Sequence, residues 1–252
     1  MPYLTPEQMT FWEFVGKFAG GLTSLAVLGF AARTYYYNQK WKRAEFLAAE
    51  MKQFFASARV QKALILIDWG ERRFDLLEGN PPGGISVAVT REMQVRGLIP
   101  HTLLGGDNAD AEMMETDDSL GKDKGKFIKP EVAIRECYDA FLDGLERFAS
   151  YVQTGLISKS SLRPYIGYWI EDIASPTENR GDAAWCATLL TYISFYRFNG
   201  VLWLFKEFGR DISPSSSIYR EFLSRMVDKE LASRLAGTVK PKAITKPRKK
   251  HH

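Results

Sequence analysis

The chain has little histidine and little cysteine. Of its three histidines only His101 is internal, since His251 and His252 end the sequence. A Ser-His-Asp triad, or a zinc site built on imidazole, therefore lacks its parts. There are two cysteines, Cys137 and Cys186. Each sits in an apolar periodic stretch, so the expectation is a buried thiol in a reducing compartment and no disulfide framework. The glycine-rich segment Pro81-Pro82-Gly83-Gly84 has no following Lys-Ser/Thr, which excludes a phosphate loop and leaves a turn. Asp107, Asn108 and Asp110 do not follow the ligand spacing of a calcium-binding EF-hand. No metal and no cofactor is expected.

What is present is a chain of globular composition, 252 residues long, with 45% apolar, 25% charged and 13% aromatic residues. The net charge is +4, but the charge is unevenly spread, with one acidic and one basic segment of opposite sign. Residues 107–124 carry seven acids against Lys122 and Lys124. The last fifteen residues carry Lys240, Lys242, Lys246, Arg248, Lys249 and Lys250 with no acid. The first reads as a mobile acidic loop over 105–126, and the second as a basic disordered tail over 237–252.

Residues 18–32 carry no charge. That run is shorter than the roughly 20 apolar residues a bilayer needs, but its flanks extend it. Lys17 and Arg33 can snorkel towards the headgroups, and Trp12 at one end with Tyr35, Tyr36 and Tyr37 at the other match interfacial aromatic belts. Residues 11–37 are therefore expected to form a transmembrane helix. Lys40, Lys42 and Arg43 follow it, whereas the ten residues before it carry only Glu7. The positive-inside rule gives a short extracytoplasmic N-terminus over 1–10 and a cytoplasmic C-terminus, and the membrane expected is the inner one. A cleaved signal would begin with a basic segment, and this one is acidic. Gly16, Gly20 and Ser24, spaced by four, make a small-residue stripe on which two such helices could pack.

Helical periodicity continues beyond the span. Residues 38–58 read as a juxtamembrane helical stalk, and 59–236 as a helical cytoplasmic domain. The fold class expected is mainly α, with the N-terminal transmembrane helix continuing into a bundle-like domain. Residues 60–69 are expected to be helical, and 87–104 to hold one helix ending before Pro100. Pro130 is expected to open a helix with Ile134, Cys137, Tyr138, Phe141, Leu145, Phe148 and Val152 on its apolar face. Arg135, Asp139, Asp143, Glu146 and Arg147 lie on a solvated face, and Gly155 closes the helix. Ser160 is expected to cap the next helix and Asp182 the one after. Asn199-Gly200 marks a break, and residues 215–235 form a final amphipathic helix. No segment alternates cleanly enough to predict a sheet. The fourteen uncharged residues 183–196 are closer to a core helix than to a second span.

The sequence resembles a class of bacterial single-span membrane proteins. The likeness rests on Trp41-Lys42-Arg43, Ile67-Asp68-Trp69, Asp139-Ala140-Phe141 with Leu145-Glu146-Arg147-Phe148, Gly155-Leu156-Ile157 and Tyr165-Ile166-Gly167-Tyr168-Trp169-Ile170. It implies a membrane-anchored helical protein and carries no catalytic residue with it.

The leading expectation is a membrane-tethered helical scaffold or interaction protein, self-associating and without catalysis. Its partners would be the lipid bilayer, a second copy, and other membrane or cytoplasmic proteins. Lys40, Lys42, Arg43, Lys246, Arg248, Lys249 and Lys250 would face lipid headgroups. A channel or transport component is the alternative, through 183–208 as a second membrane element. An enzyme using Glu171 and Asp172 is weaker, because adjacent helical residues do not face each other; these acids are expected at the surface or beside Arg163 and Arg180. Nucleic-acid binding is excluded: the helix after Gly155 offers aromatics and acids where a reading helix presents Arg, Lys, Asn or Gln.

Overall fold

The computed structural model describes residues 6–70, 72–75, 86–103, 129–175 and 182–238. The turn at 81–84, the acidic segment 105–126, Arg180 and the tail from 239, with Lys246, Arg248, Lys249 and Lys250, lie outside the described residues. The side chains of 6–17, 20 and 24 also lie outside them, so for Trp12, Gly16, Lys17, Gly20 and Ser24 only a helical backbone is described.

The chain is mainly helical and divides into two compact units, Met1–Glu50 and Met51–His252. All the described residues of the first unit belong to helix α1 (Pro6–Ala56). Among the described residues no helix is long and apolar enough to cross a membrane.

The second unit starts with residues 51–56 at the end of α1 and continues into α2 (Ala58–Trp69), whose Val60, Ala63, Leu66 and Ile67 recur at helical spacing and are buried. Two three-residue strands follow, β1 (Arg72–Phe74) and β2 (Val87–Val89), paired antiparallel with Arg72 opposite Val89. Then come α3 (Arg91–Leu98), a short 3-10 turn at His101–Leu103, α4 (Lys129–Gln153), α5 (Lys159–Ala174), α6 (Ala183–Phe195), α7 (Asn199–Glu207), α8 (Ser217–Arg225) and α9 (Lys229–Thr238).

α4 and α6 organise the core. α4 packs against α2, α3 and α7, and α6 packs against α3, α7, α8 and α9. The expected apolar face of α4 is the buried one: Ile134, Cys137, Tyr138, Phe141, Leu145 and Phe148 are all shielded from solvent. Gly144 completes it. A Cβ there would lie 2.2 Å from Cε2 of Phe54, so the missing side chain is what lets Phe54 reach the helix. The Phe54 ring meets Phe148 edge-on, with centroids 5.2 Å apart. α6 is apolar on every side because it is enclosed on every side; residues 185–193 are all buried. Thr188 and Thr191 satisfy their hydroxyls by donating to the carbonyls of Ala184 and Ala187, both at 2.7 Å. Residues 185–193, with Val201, Leu204, Phe205 and Phe208 of the following segment, therefore belong to the core of the second unit.

The structure corrects several boundaries. The helix expected within 87–104 is α3, which ends at Leu98, before Pro100, but strand β2 precedes it; strands of three residues are too short to show alternation. Ser158, not Ser160, caps α5, accepting the Ser161 N–H at 3.1 Å. α6 stops at Phe195, and Asn199-Gly200 opens α7 instead of breaking the chain. The stop is a Schellman closure: Phe198 N–H donates to Ile193 O at 3.0 Å and Arg197 N–H to Ser194 O at 3.3 Å, with Arg197 at φ 61°. The final amphipathic segment is two helices, because Asp228 starts α9 afresh by accepting the Leu231 N–H. Asp182 caps α6 as expected, accepting from Ala184 and Trp185.

Candidate functional site

Two regions carry chemistry beyond packing. The first is the exposed surface of α1. Phe18, Leu22, Leu25, Val27, Leu28 and Phe30 are all more than half exposed, from 54% to 74%. At about 3.6 residues per turn they point to all sides of the helix. A helix apolar all round is the signature of burial or of lipid, not of a surface helix in water. Thr23, the hydroxyl in this stretch whose side chain is described, donates to the Ala19 carbonyl at 3.1 Å, which removes a polar group from whatever surrounds the helix.

One turn on, the chemistry changes. Tyr35, Tyr36, Tyr37 and Trp41 are exposed, as are Arg33, Lys40, Lys42 and Arg43. The Arg33 guanidinium lies over the Tyr37 ring, 5.5 Å from its centroid. No acid stands between Phe14 and Ala44, so this part of the helix is uniformly cationic.

The second region is a polar junction in the second unit. Arg135 of α4 donates from Nε to Gly97 O at 2.9 Å, from Nη2 to Ile99 O at 2.7 Å and from Nη1 to the Tyr196 hydroxyl at 3.1 Å. It thereby caps the C-terminal end of α3 with a positive charge, where the helix dipole favours one. The same guanidinium lies over the Tyr192 and Tyr196 rings at 5.2 and 5.5 Å. His101 Nδ1 is 2.8 Å from the Tyr196 hydroxyl. Tyr192 donates its hydroxyl proton to Asp139 Oδ1 at 2.5 Å. Burial pushes the Asp139 carboxyl above its ordinary value, against the lowering effects of the Tyr192 hydrogen bond and the Arg135 charge. Burial and the adjacent carboxylate together push the Tyr192 phenol up. Tyr192 is thus a fixed donor, and the cluster ties α4, α6 and the 3-10 turn together.

Arg135, Asp139 and Glu146 consequently do not lie on a solvated face as the sequence suggested. Glu146 Oε1 accepts the Val201 N–H of α7 at 3.0 Å. The missed signal was the pairing of two i,i+4 couples, Arg135/Asp139 and Tyr192/Tyr196. Glu171 also differs from expectation: it accepts from Nε of Arg210 at 2.7 Å, and from its Nη2, instead of pairing with Arg163. Asp172 is half-buried beside it.

A third polar network is entirely structural. Arg91 donates to the Leu66 and Ile67 carbonyls at 2.9 and 3.1 Å, closing the end of α2, and lies 4.2 Å from the Trp185 ring centroid. Gln94 Oε1 accepts from Arg91 and from the Tyr138 hydroxyl, and Tyr138 accepts from Trp185 Nε1 at 3.0 Å. Burial raises the Tyr138 phenol far above its usual value, so it stays protonated. Cys137 and Cys186 are both free and buried. Among the described residues no group of His, Cys, Asp or Glu is placed to hold a metal ion. No family model, no curated protein and no solved structure matches this chain.

Proposed function

We propose that the protein is a membrane-tethered helical scaffold or interaction protein, with α1 inserted in the inner membrane over residues 11–37 and the second unit on the cytoplasmic side. The observation that carries this reading is the ring of exposed Phe, Leu and Val side chains on all sides of α1 between Phe18 and Phe30. In water each large apolar side chain left exposed forgoes about 1.5–3 kcal/mol of burial; in hydrocarbon none is forgone. The snorkelling Arg33 and the aromatic residues 35–37 extend the apolar stretch to bilayer length. Self-association through Gly16, Gly20 and Ser24 is part of the proposal.

A scaffold fits the second unit better than an enzyme does, because several of its part-buried charged and amide groups are committed to one another. Arg135, Glu146, Arg91 and Gln94 close helix ends, and Glu171 is held by Arg210. The burial of 185–193, Val201, Leu204 and Phe205 within the second unit favours this reading over a channel component with 183–208 as a membrane element.

The test is alkaline carbonate extraction of membranes from cells expressing the full chain, followed by flotation and by crosslinking in the intact membrane. Retention in the floated fraction and a dimer or higher band are expected. Release by carbonate would refute the anchor; a purely monomeric pattern would refute the self-association.

A further inference from the structure

We propose that residues 33–43 of α1 form a binding collar selective for anionic phospholipid headgroups, with phosphate as the recognised group. This rests on the membrane reading above and adds to it a ligand class. Lys40, Lys42 and Arg43 fall within one turn of helix, a rise of about 4.5 Å, and their spacing sends them to three sides of it. All three are exposed, as is Trp41 between them at 72%. A ring of cations at a single depth matches a layer of phosphates better than a single soluble anion, which would be met from one side only.

Arg33 strengthens the collar from below. Its guanidinium lies over Tyr37, four residues towards the Lys40 turn, so the charge on the apolar segment is already paired with the aromatic edge of the collar. Tyr36 and Tyr37 meet edge-on with centroids 6.1 Å apart. Arg33, Tyr37 and Trp41 are spaced by four and share one stripe, giving an apolar body at the level where acyl chains meet headgroups. The nearest acids along the helix are Glu13 and Glu45. Glu45, three residues after Lys42, is the one acid within a turn of these four cations, so they outnumber the acid beside them and anionic lipid supplies the balance.

The full chain is purified in detergent and exposed to equimolar phosphatidylglycerol and phosphatidylcholine, and retained lipid is counted by native mass spectrometry. Phosphatidylglycerol is expected to be retained over phosphatidylcholine by more than about tenfold. Lys40→Gln/Lys42→Gln/Arg43→Gln should abolish that preference, whereas Lys246→Gln/Arg248→Gln/Lys249→Gln/Lys250→Gln in the tail should preserve it. Equal retention of the two lipids, an unchanged preference in the Lys40 triple variant, or displacement of the lipid by millimolar inorganic phosphate would each overturn the proposal. Flotation of the same proteins on phosphatidylcholine vesicles separates the two readings. A chain that floats without lipid preference keeps its anchor and loses the collar; a chain that does not float loses both.

Discussion

The Tyr192 hydroxyl donates to Asp139 across 53 residues of sequence, and it joins α6 to α4 through a half-buried carboxylate. Because burial raises the Asp139 carboxyl above its ordinary value of 3.8, the folded chain holds that proton more tightly than the unfolded chain. The contribution to stability is therefore fully present below the unfolded value and is lost as pH rises through the folded one. Urea midpoints of the full chain in detergent should fall over that window. Asp139→Asn keeps an Oδ1 acceptor for Tyr192 and should remove this part of the slope. Asp139→Ala should cost about 1–3 kcal/mol at every pH, since it strands the Tyr192 hydroxyl. Identical pH slopes in wild type and Asp139→Asn would show that the carboxylate is not perturbed.

Gly144→Ala tests the closest approach in the core. Alanine gains about 1 kcal/mol of helix propensity over glycine. Against that, its Cβ would lie 2.2 Å from the Phe54 ring, which is 1% exposed and wedged beside Phe141 and Phe148. Overpacking at such a site costs about 1–3 kcal/mol, so the overlap should win and the denaturation midpoint should fall. A rise would mean that Phe54 moves freely.

Two helix ends should respond in opposite senses. Arg197 takes φ 61° at the end of α6, where glycine is free of strain; Arg197→Gly should stabilise by about 1 kcal/mol. Gly209 takes φ 85° after α7, with Arg210 N–H donating to Phe205 O. Gly209→Ala should destabilise by about 1 kcal/mol. Thermal melts of the two single variants decide both.

Arg91→Ala should be among the costly substitutions, at about 3 kcal/mol, because it leaves two carbonyls without their donor, takes one of two donors from Gln94 and uncovers the Trp185 ring. Arg91→Lys should recover less than half of that, since one ammonium cannot reproduce the fork that spans Leu66 and Ile67. Hydrogen exchange at the end of α2 reports the effect locally.

What could be read from the sequence was whatever depends on neighbours a turn away. The apolar stripe of α4, the Asp182 cap, the Gly155 close and the enclosed character of α6 all follow from residues three or four apart. The short hairpin did not show, because Arg72 and Val89 pair across 17 positions and three residues give no period. Nor did the polar junction: Arg135 meets Gly97 and Ile99 across 38 and 36 positions, and Tyr196 across 61. On its own helix Arg135 looks like any solvated arginine. The Arg197 stop was hidden for a different reason, since a left-handed arginine lacks the glycine that normally marks such an end. In α1 the cationic and aromatic residues were legible as types, but the Arg33–Tyr37 contact was not.

The most direct test of the central claim uses the shielding of Cys137 and Cys186, which leaves an introduced cysteine as the reactive one. Leu25→Cys and Trp41→Cys are each labelled with a nitroxide in the full chain and reconstituted into bilayers. Collision rates with oxygen and with a water-soluble nickel complex are then compared. An inserted α1 predicts a label at 25 that favours oxygen strongly and a label at 41 that sits at the headgroup boundary. Equal access of the nickel complex to both positions would contradict the anchor and the account built on it.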